Sequence, residues 1–157
     1  MPKQKVIIIL GSKSDLKFAT AIGRVLKDYQ VDHEFRVASA HRTPERLLKI
    51  LGEYERSEGT LVYITVAGLS DALSGVVAGF TKYPVIACPP DFEGHGWPKA
   101  FSSAMTPKGV AVYFVPQPEN AALAAVKILA LSNPSLYERI QRRKEEGERR
   151  VVEADEE

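Results

Sequence analysis

The sequence predicts an α/β fold, a three-layer doubly wound parallel sheet with a C-terminal helical extension. Three observations carry this. Short apolar runs rich in β-branched residues alternate with segments whose apolar positions follow helical spacing. The first of these runs is apolar on consecutive residues, as expected of a strand covered on both faces. The polar segments richest in Ser, Gly, His and Arg directly follow these runs, at the strand-to-helix turns where open α/β sheets bind ligands.

In chain order, Lys5–Leu10 (KVIIIL) reads as a buried strand ending at Gly11. The segment after it places Ala19, Ile22, Leu26 and Tyr29 on one helical face, with Ser14 or Asp15 available as cap. The second strand is expected over HEFRVAS, residues 33–39. Thr43 then serves as N-cap and Pro44 as first helical residue of the next helix. Leu61–Ala67 (LVYITVA) is a third strand, followed by a small-residue helix over SDALSGVVAGFT. YPVIACPP forms a fourth strand stopped by Pro89 and Pro90, and Gly109–Val115 a fifth. The Ala-rich PENAALAAVKILALS is helical. From Pro134 the pattern stays helical and then turns almost wholly to charge. It reads as a solvated, fraying helix, or alternatively as one crossing a subunit interface. Residues 1–157 are thus expected to form one domain, with a core over 5–131 and a charged helical tail over 134–157. Five strands and their helices match the size and order of flavodoxin-like sheets.

Composition narrows the function. A net charge of +1 gives no footprint for nucleic acid or an anionic membrane. The single cysteine, Cys88, excludes an internal disulfide and any Cys-cluster metal site. No apolar run is long enough to span a bilayer, and MPKQKVIIIL lacks a signal-peptide cleavage pattern. A cytoplasmic protein is expected.

Three segments hold the candidate chemistry: GSKSD (Gly11–Asp15), SAHRT (Ser39–Thr43) and AGLSDALSG (Ala67–Gly75). In a parallel sheet with the first strand central, all three fall on one carboxyl edge beside the switch point. GSKSD offers a close backbone approach, hydroxyls and a helix N-terminus, suited to a phosphate. It lacks the Lys-Ser/Thr ending of a nucleoside triphosphate loop. Asp15 can bind ribose hydroxyls or simply cap the helix. Arg42 suits bidentate phosphate contact, and His41 carries the side chain whose charge changes nearest neutral pH. His33 reads as surface, His95 sits in a Gly-rich loop, and no metal-ligand spacing appears. Cys88 ends a buried strand and reads as a core residue, with a Cys–His41 nucleophile pair as the minority alternative.

GSKSD, followed about twenty-five residues on by SAHRTPE and then by an Ala-Gly segment before a Gly-rich helix, resembles the phosphoribosylaminoimidazole carboxylase catalytic subunit family of purine biosynthesis. The likeness runs from about Val6 to about Leu131. One branch of that family is a mutase acting on 5-(carboxyamino)imidazole ribonucleotide, and it carries a second histidine where this chain has Ala72. The other carboxylates aminoimidazole ribonucleotide with CO2 and resembles AGRSNALSG followed by ACPP. This chain has GLSDALSG and IACPP, closer to the CO2-using branch. Leu69 stands for that branch's arginine, Asp71 for its asparagine and Arg42 for its lysine. The resemblance implies that Ser12, Asp15, Ser39 and Arg42 bind the ribonucleotide, with Asp15 on ribose and Ser39 and Arg42 near phosphate. It implies His41 as the proton shuttle, and Gly68 and Ser70 as lining of the CO2 and carboxylate pocket. It also implies a homo-octamer or homotetramer and no cofactor: an electron-rich aminoimidazole attacks CO2 without metal, biotin or ATP once the two are held together.

The mutase is the first rival reading. The second is a non-catalytic flavodoxin-like nucleotide-binding module. A receiver domain would want an acidic cluster after the first strand, where this chain has only Asp15. A flavin carrier would want aromatic residues in the three loops, and they contain none.

Overall fold

The computed structural model describes residues 3–156. Five parallel strands lie in the order β2-β1-β3-β4-β5: β1 (Gln4–Leu10), β2 (Asp32–Val37), β3 (Thr60–Val66), β4 (Val85–Ala87) and β5 (Tyr113–Phe114). The helices are α1 (Leu16–Asp28), α2 (Pro44–Glu55), α3 (Ala72–Phe80), α4 (Phe92–His95), α5 (Trp97–Ala104), α6 (Pro118–Ala130) and α7 (Pro134–Glu156). The arrangement is the flavodoxin-like doubly wound sheet expected from sequence.

The apolar run of β1 resolves into two alternating sets, because successive side chains of a strand leave on opposite faces. Val6, Ile8 and Leu10 join Ala19, Ile22 and Leu26 of α1 and Ala121, Ala125 and Leu129 of α6. Ile7 and Ile9 join Leu47, Ile50 and Leu51 of α2 and Leu73 and Val77 of α3. All five β1 residues from Val6 to Leu10 are fully buried, each large side chain contributing about 1.5–3 kcal/mol of transfer free energy. Two cores of this kind, one on each face, make β1 and β3 the stiff centre of the molecule.

Several boundaries differ from expectation. The fifth strand is two residues long instead of seven. Its expected first residues are taken up by a turn that Val110 N–H closes on the Pro107 carbonyl, with Gly109 at φ +92°. Its neighbour β4 is short as well, since Pro89 and Pro90 follow it and have no N–H to donate. The Gly-rich segment read as a loop forms α4 and α5, with Pro98 in the first turn of α5. The tail is one continuous helix. Its root is held by Leu136 in the core, by Arg139 donating to the Tyr29 carbonyl at 2.7 Å, and by Arg143 donating to that of Asp28 at 3.1 Å. Those carbonyls terminate α1, where cationic groups are favoured.

Candidate active site

The strand order reverses between β1 and its neighbours, and three turns meet there. The first, Gly11–Asp15, stays close to the third because Gly11 donates its N–H to the Val66 carbonyl at 2.9 Å. A Cβ on Gly11 would stand 3.3 Å from that of Ala67, so only glycine lets the two turns lie this near without a shift. The next residues form a short 3-10 turn with a reciprocal cap: Ser14 N–H donates to Ser12 Oγ at 3.2 Å, and Ser12 N–H to Asp15 Oδ2 at 2.9 Å. Ser12 is therefore the capping hydroxyl, where the sequence offered Ser14 or Asp15. Burial at the cleft edge raises the Asp15 carboxyl above its ordinary range. The Asp91 carboxylate adds to this, while the Ser12 N–H and the Lys99 ammonium oppose it.

The second turn is closed on itself. Thr43 N–H donates to the Ser39 carbonyl at 2.9 Å, Ser39 N–H to Thr43 Oγ1 at 3.0 Å, and Arg42 N–H to Ser39 Oγ at 3.1 Å. Thr43 thus braces the turn and makes no side-chain cap to α2. The backbone of Ser39–Thr43 is fixed, while the exposed His41 and Arg42 side chains have no hydrogen-bond or ion-pair partner among the described residues.

In the third turn Leu69 takes a left-handed backbone, φ +56°, which is uncommon for a branched residue. Two residues from a distant segment hold it there. Leu69 N–H donates to Asp91 Oδ2 at 2.7 Å, and Lys99 Nζ donates to the carbonyls of Ala67, at 3.0 Å, and Leu69. Asp71 is buried and caps α3. Its oxygens accept from Ser74 N–H at 3.0 Å, from Ser74 Oγ, and from Ser103 Oγ at 2.7 Å.

The three turns enclose a cleft of about 440 Å³. Every residue singled out from sequence lines it: Ser12, Asp15, Ser39, His41, Arg42, Gly68 and Ser70. Ala72 lines it too, and His41 is the one imidazole there among the described residues. Cys88 lies in the core on the α1–α6 face, fully buried, with its thiol pushed up to about 12 by desolvation. It does not line the cleft, which leaves the Cys–His41 pair without geometry. His33 packs edge-on against Phe35 and is half-buried. His95 is exposed, 3.5 Å from Asp91 Oδ2.

Sequence reasoning missed Asp91, Lys99 and Ser103. A signal was present: Lys99 and Ser103 are four apart after Pro98, on the same face as Ala100, and so share the inward side of a helix. Reading the preceding glycines as a loop hid it.

The fold and the cleft define a doubly wound α/β protein with its ligand crevice at the reversal of strand order. The chain belongs to the AIR carboxylase family (AIRC), whose model matches residues 5–150. It is 46% identical over 153 residues to an Archaeoglobus fulgidus protein named phosphoribosylaminoimidazole carboxylase, covering 98% of this chain and 84% of that one. It is 40% identical over 153 residues to a Methanocaldococcus jannaschii protein named N5-carboxyaminoimidazole ribonucleotide mutase, covering 96% and 95%. The crystal structure of Treponema denticola PurE superposes with a TM-score of 0.93 at 37% identity, covering 97% of this chain and 96% of that one.

Proposed function

We propose that this chain carboxylates 5-aminoimidazole ribonucleotide with CO2, giving 4-carboxy-5-aminoimidazole ribonucleotide in purine biosynthesis. The observation that carries the reading is the convergence of Ser12, Asp15, Ser39, His41, Arg42, Gly68 and Ser70 from three turns on one cleft. Arg42, with its guanidinium unpaired among the described residues, and Ser39 take the phosphate. Ser12 lies beside them, and Asp15 accepts from the ribose hydroxyls through the carboxylate oxygen that Ser12 N–H leaves open. Gly68 and Ser70 line the CO2 end.

The chemistry follows from the substrate. The exocyclic amine pushes electron density onto the neighbouring ring carbon, which forms a bond to the carbon of CO2. One C–O π bond becomes a carboxylate lone pair. The proton on that ring carbon then passes to the His41 imidazole and on to solvent, restoring the aromatic ring. The residues act by positioning the reactants and removing one proton. Substrate, CO2 and proton balance without a further reactant.

The mutase reading is kept by the name of the Methanocaldococcus jannaschii relative. Ala72 weighs against it, because it puts a methyl group in the cleft where the mutase branch places a second imidazole. A paired assay separates the two. One cell receives aminoimidazole ribonucleotide in CO2-saturated buffer. The other receives the carboxyamino ribonucleotide under CO2 depletion, and carbonic anhydrase is the control. Turnover in the first alone supports the carboxylase; faster turnover in the second overturns it.

The same reading takes the whole chain as one carboxylase domain, acting in the cytoplasm as a homo-octamer or homotetramer. No helix of the described residues is long and apolar enough to cross a membrane. Trp97, Phe101 and Met105 recur every fourth residue along α5 and just past it, at 75%, 58% and 75% exposure, an apolar face suited to a second copy of the chain. Light scattering on the purified protein tests the assembly, and a monomer at micromolar concentration would refute it.

A further inference from the structure

We infer that Lys99 and Asp91 are positioning residues for the CO2 end of the cleft: they fix two peptide planes so that the N–H groups of Gly68 and Ser70 face the bound oxygens. The inference rests on the carboxylase reading and adds to it two residues outside the three motifs.

Lys99 is a buried cation, with 1% of its side chain exposed. It is absent from the cleft lining. Its ammonium holds the carbonyls of Ala67 and Leu69 from behind the turn. Across a trans peptide the N–H points opposite to the preceding carbonyl, and among the described residues no peptide is cis. With both carbonyls drawn onto Lys99, the N–H groups of Gly68 and Ser70 are turned away from it, toward the cleft that these two residues line. Neither N–H has an acceptor among the described residues. The peptide between them is held the other way, with Leu69 N–H on Asp91 Oδ2.

Asp91 completes the arrangement. Its Oδ1 is buried, without a hydrogen bond, 3.5 Å from Lys99 Nζ. Carboxylate and ammonium thus balance each other behind the turn while each grips part of its backbone. The left-handed Leu69, which is 75% exposed, is the residue about which the two outward N–H groups are arranged. Two preset donors facing the cleft suit the oxygens of CO2, on which negative charge grows as the new bond forms.

The test uses the full chain with Lys99→Met, Lys99→Arg and the double variant Asp91→Asn/Lys99→Met, which removes both buried charges together and guards against misfolding of the single one. Expected for Lys99→Met and the double variant is a rise of about tenfold or more in the KM for CO2, with the KM for aminoimidazole ribonucleotide within about twofold of wild type. Lys99→Arg should recover part of the loss. A KM for CO2 that stays at the wild-type value in the folded variants overturns the inference. In a second arm, bicarbonate is titrated into 15N-labelled protein, and the Gly68 and Ser70 amide resonances are expected to move in wild type and not in Lys99→Met. If they do not move in wild type, or move equally in both, the inference fails. A wild type that binds bicarbonate this way but does not carboxylate the ribonucleotide would sink the functional reading alone.

Discussion

Replacing Asp71 by alanine should destabilise the protein by about 3 kcal/mol. The Asp71 carboxylate accepts three hydrogen bonds, from Ser74 N–H, Ser74 Oγ and Ser103 Oγ, and starts α3. Ser74 N–H loses its capping acceptor, at about 1 kcal/mol. The fully buried Ser103 hydroxyl loses its acceptor as well, at about 1–3 kcal/mol, whereas Ser74 Oγ keeps Thr65 Oγ1 at 2.7 Å. The two together come to about 2–4 kcal/mol, and about 3 is the middle of that range. For 157 residues, an unfolding entropy of about 2.1 cal/mol/K per residue converts 3 kcal/mol into a Tm drop of about 9 °C. Scanning calorimetry at fixed protein concentration measures it. Ser103→Ala and Asp71→Asn, which each remove part of the network, should cost about 1 kcal/mol. A Tm for Asp71→Ala within about 3 °C of wild type would show that water or a rearranged neighbour satisfies these donors, and the reasoning would fail.

His41→Asn should lower kcat by about 10²–10⁴-fold while calorimetry still detects ribonucleotide binding; a near-wild-type rate would remove the imidazole from the chemistry. Arg42→Ala should raise the ribonucleotide KM by about tenfold or more with a smaller change in kcat, and an unchanged KM would take the guanidinium out of the phosphate site. Cys88 should resist iodoacetamide in the native protein at pH 8, where a thiol pushed up to about 12 is ionised in about one molecule in ten thousand. Rapid native alkylation, followed by mass spectrometry, would contradict its burial. The same shift has a sign. The folded state keeps this proton while the unfolded chain loses it above about pH 9, so the thiol's contribution to stability is complete below that pH. It falls by up to about 1.4 kcal/mol per unit between pH 9 and 12. Cys88→Ala should show a flatter stability profile across that window by chemical denaturation.

What was legible in the sequence follows from local rules. The β1 run and the periodic faces of α1, α2 and α6 are set by the burial of adjacent residues, so spacing alone located them. GSKSD and SAHRT were legible because each motif holds its own turn together, through Ser12–Asp15 and Ser39–Thr43 contacts that span at most four residues. The third turn was not legible in the same way. Its conformation is imposed by Asp91 and Lys99, twenty-two and thirty residues further along, and helical spacing places Lys99 on an inward face without saying which distant turn it meets. The shortness of β5 likewise depends on a turn at Pro107–Val110 and on the neighbouring prolines, not on the apolar run Val110–Val115 itself.

The uneven pairing of the sheet divides the molecule by local stability. β1 and β3 pair over seven residues in the centre, whereas β4 and β5 pair over two at the edge. Local opening starts where few backbone bonds and little burial resist it, so amide exchange is expected to be slowest in β1 and β3 and fastest around β5. The first and third turns of the cleft follow the slow-exchanging strands β1 and β3, and the second follows β2, which pairs with β1 over six residues. The helix that carries Lys99 packs on α3 and on β5. In the proposed function, the ribonucleotide end of the cleft therefore rests on well-paired strands, while the CO2 end, although it follows β3, is braced from behind by a helix packed on the edge expected to open first. A ligand that bridges both ends gains affinity for the closed form alone, and should slow exchange in α5 and β5 more than anywhere else in the chain.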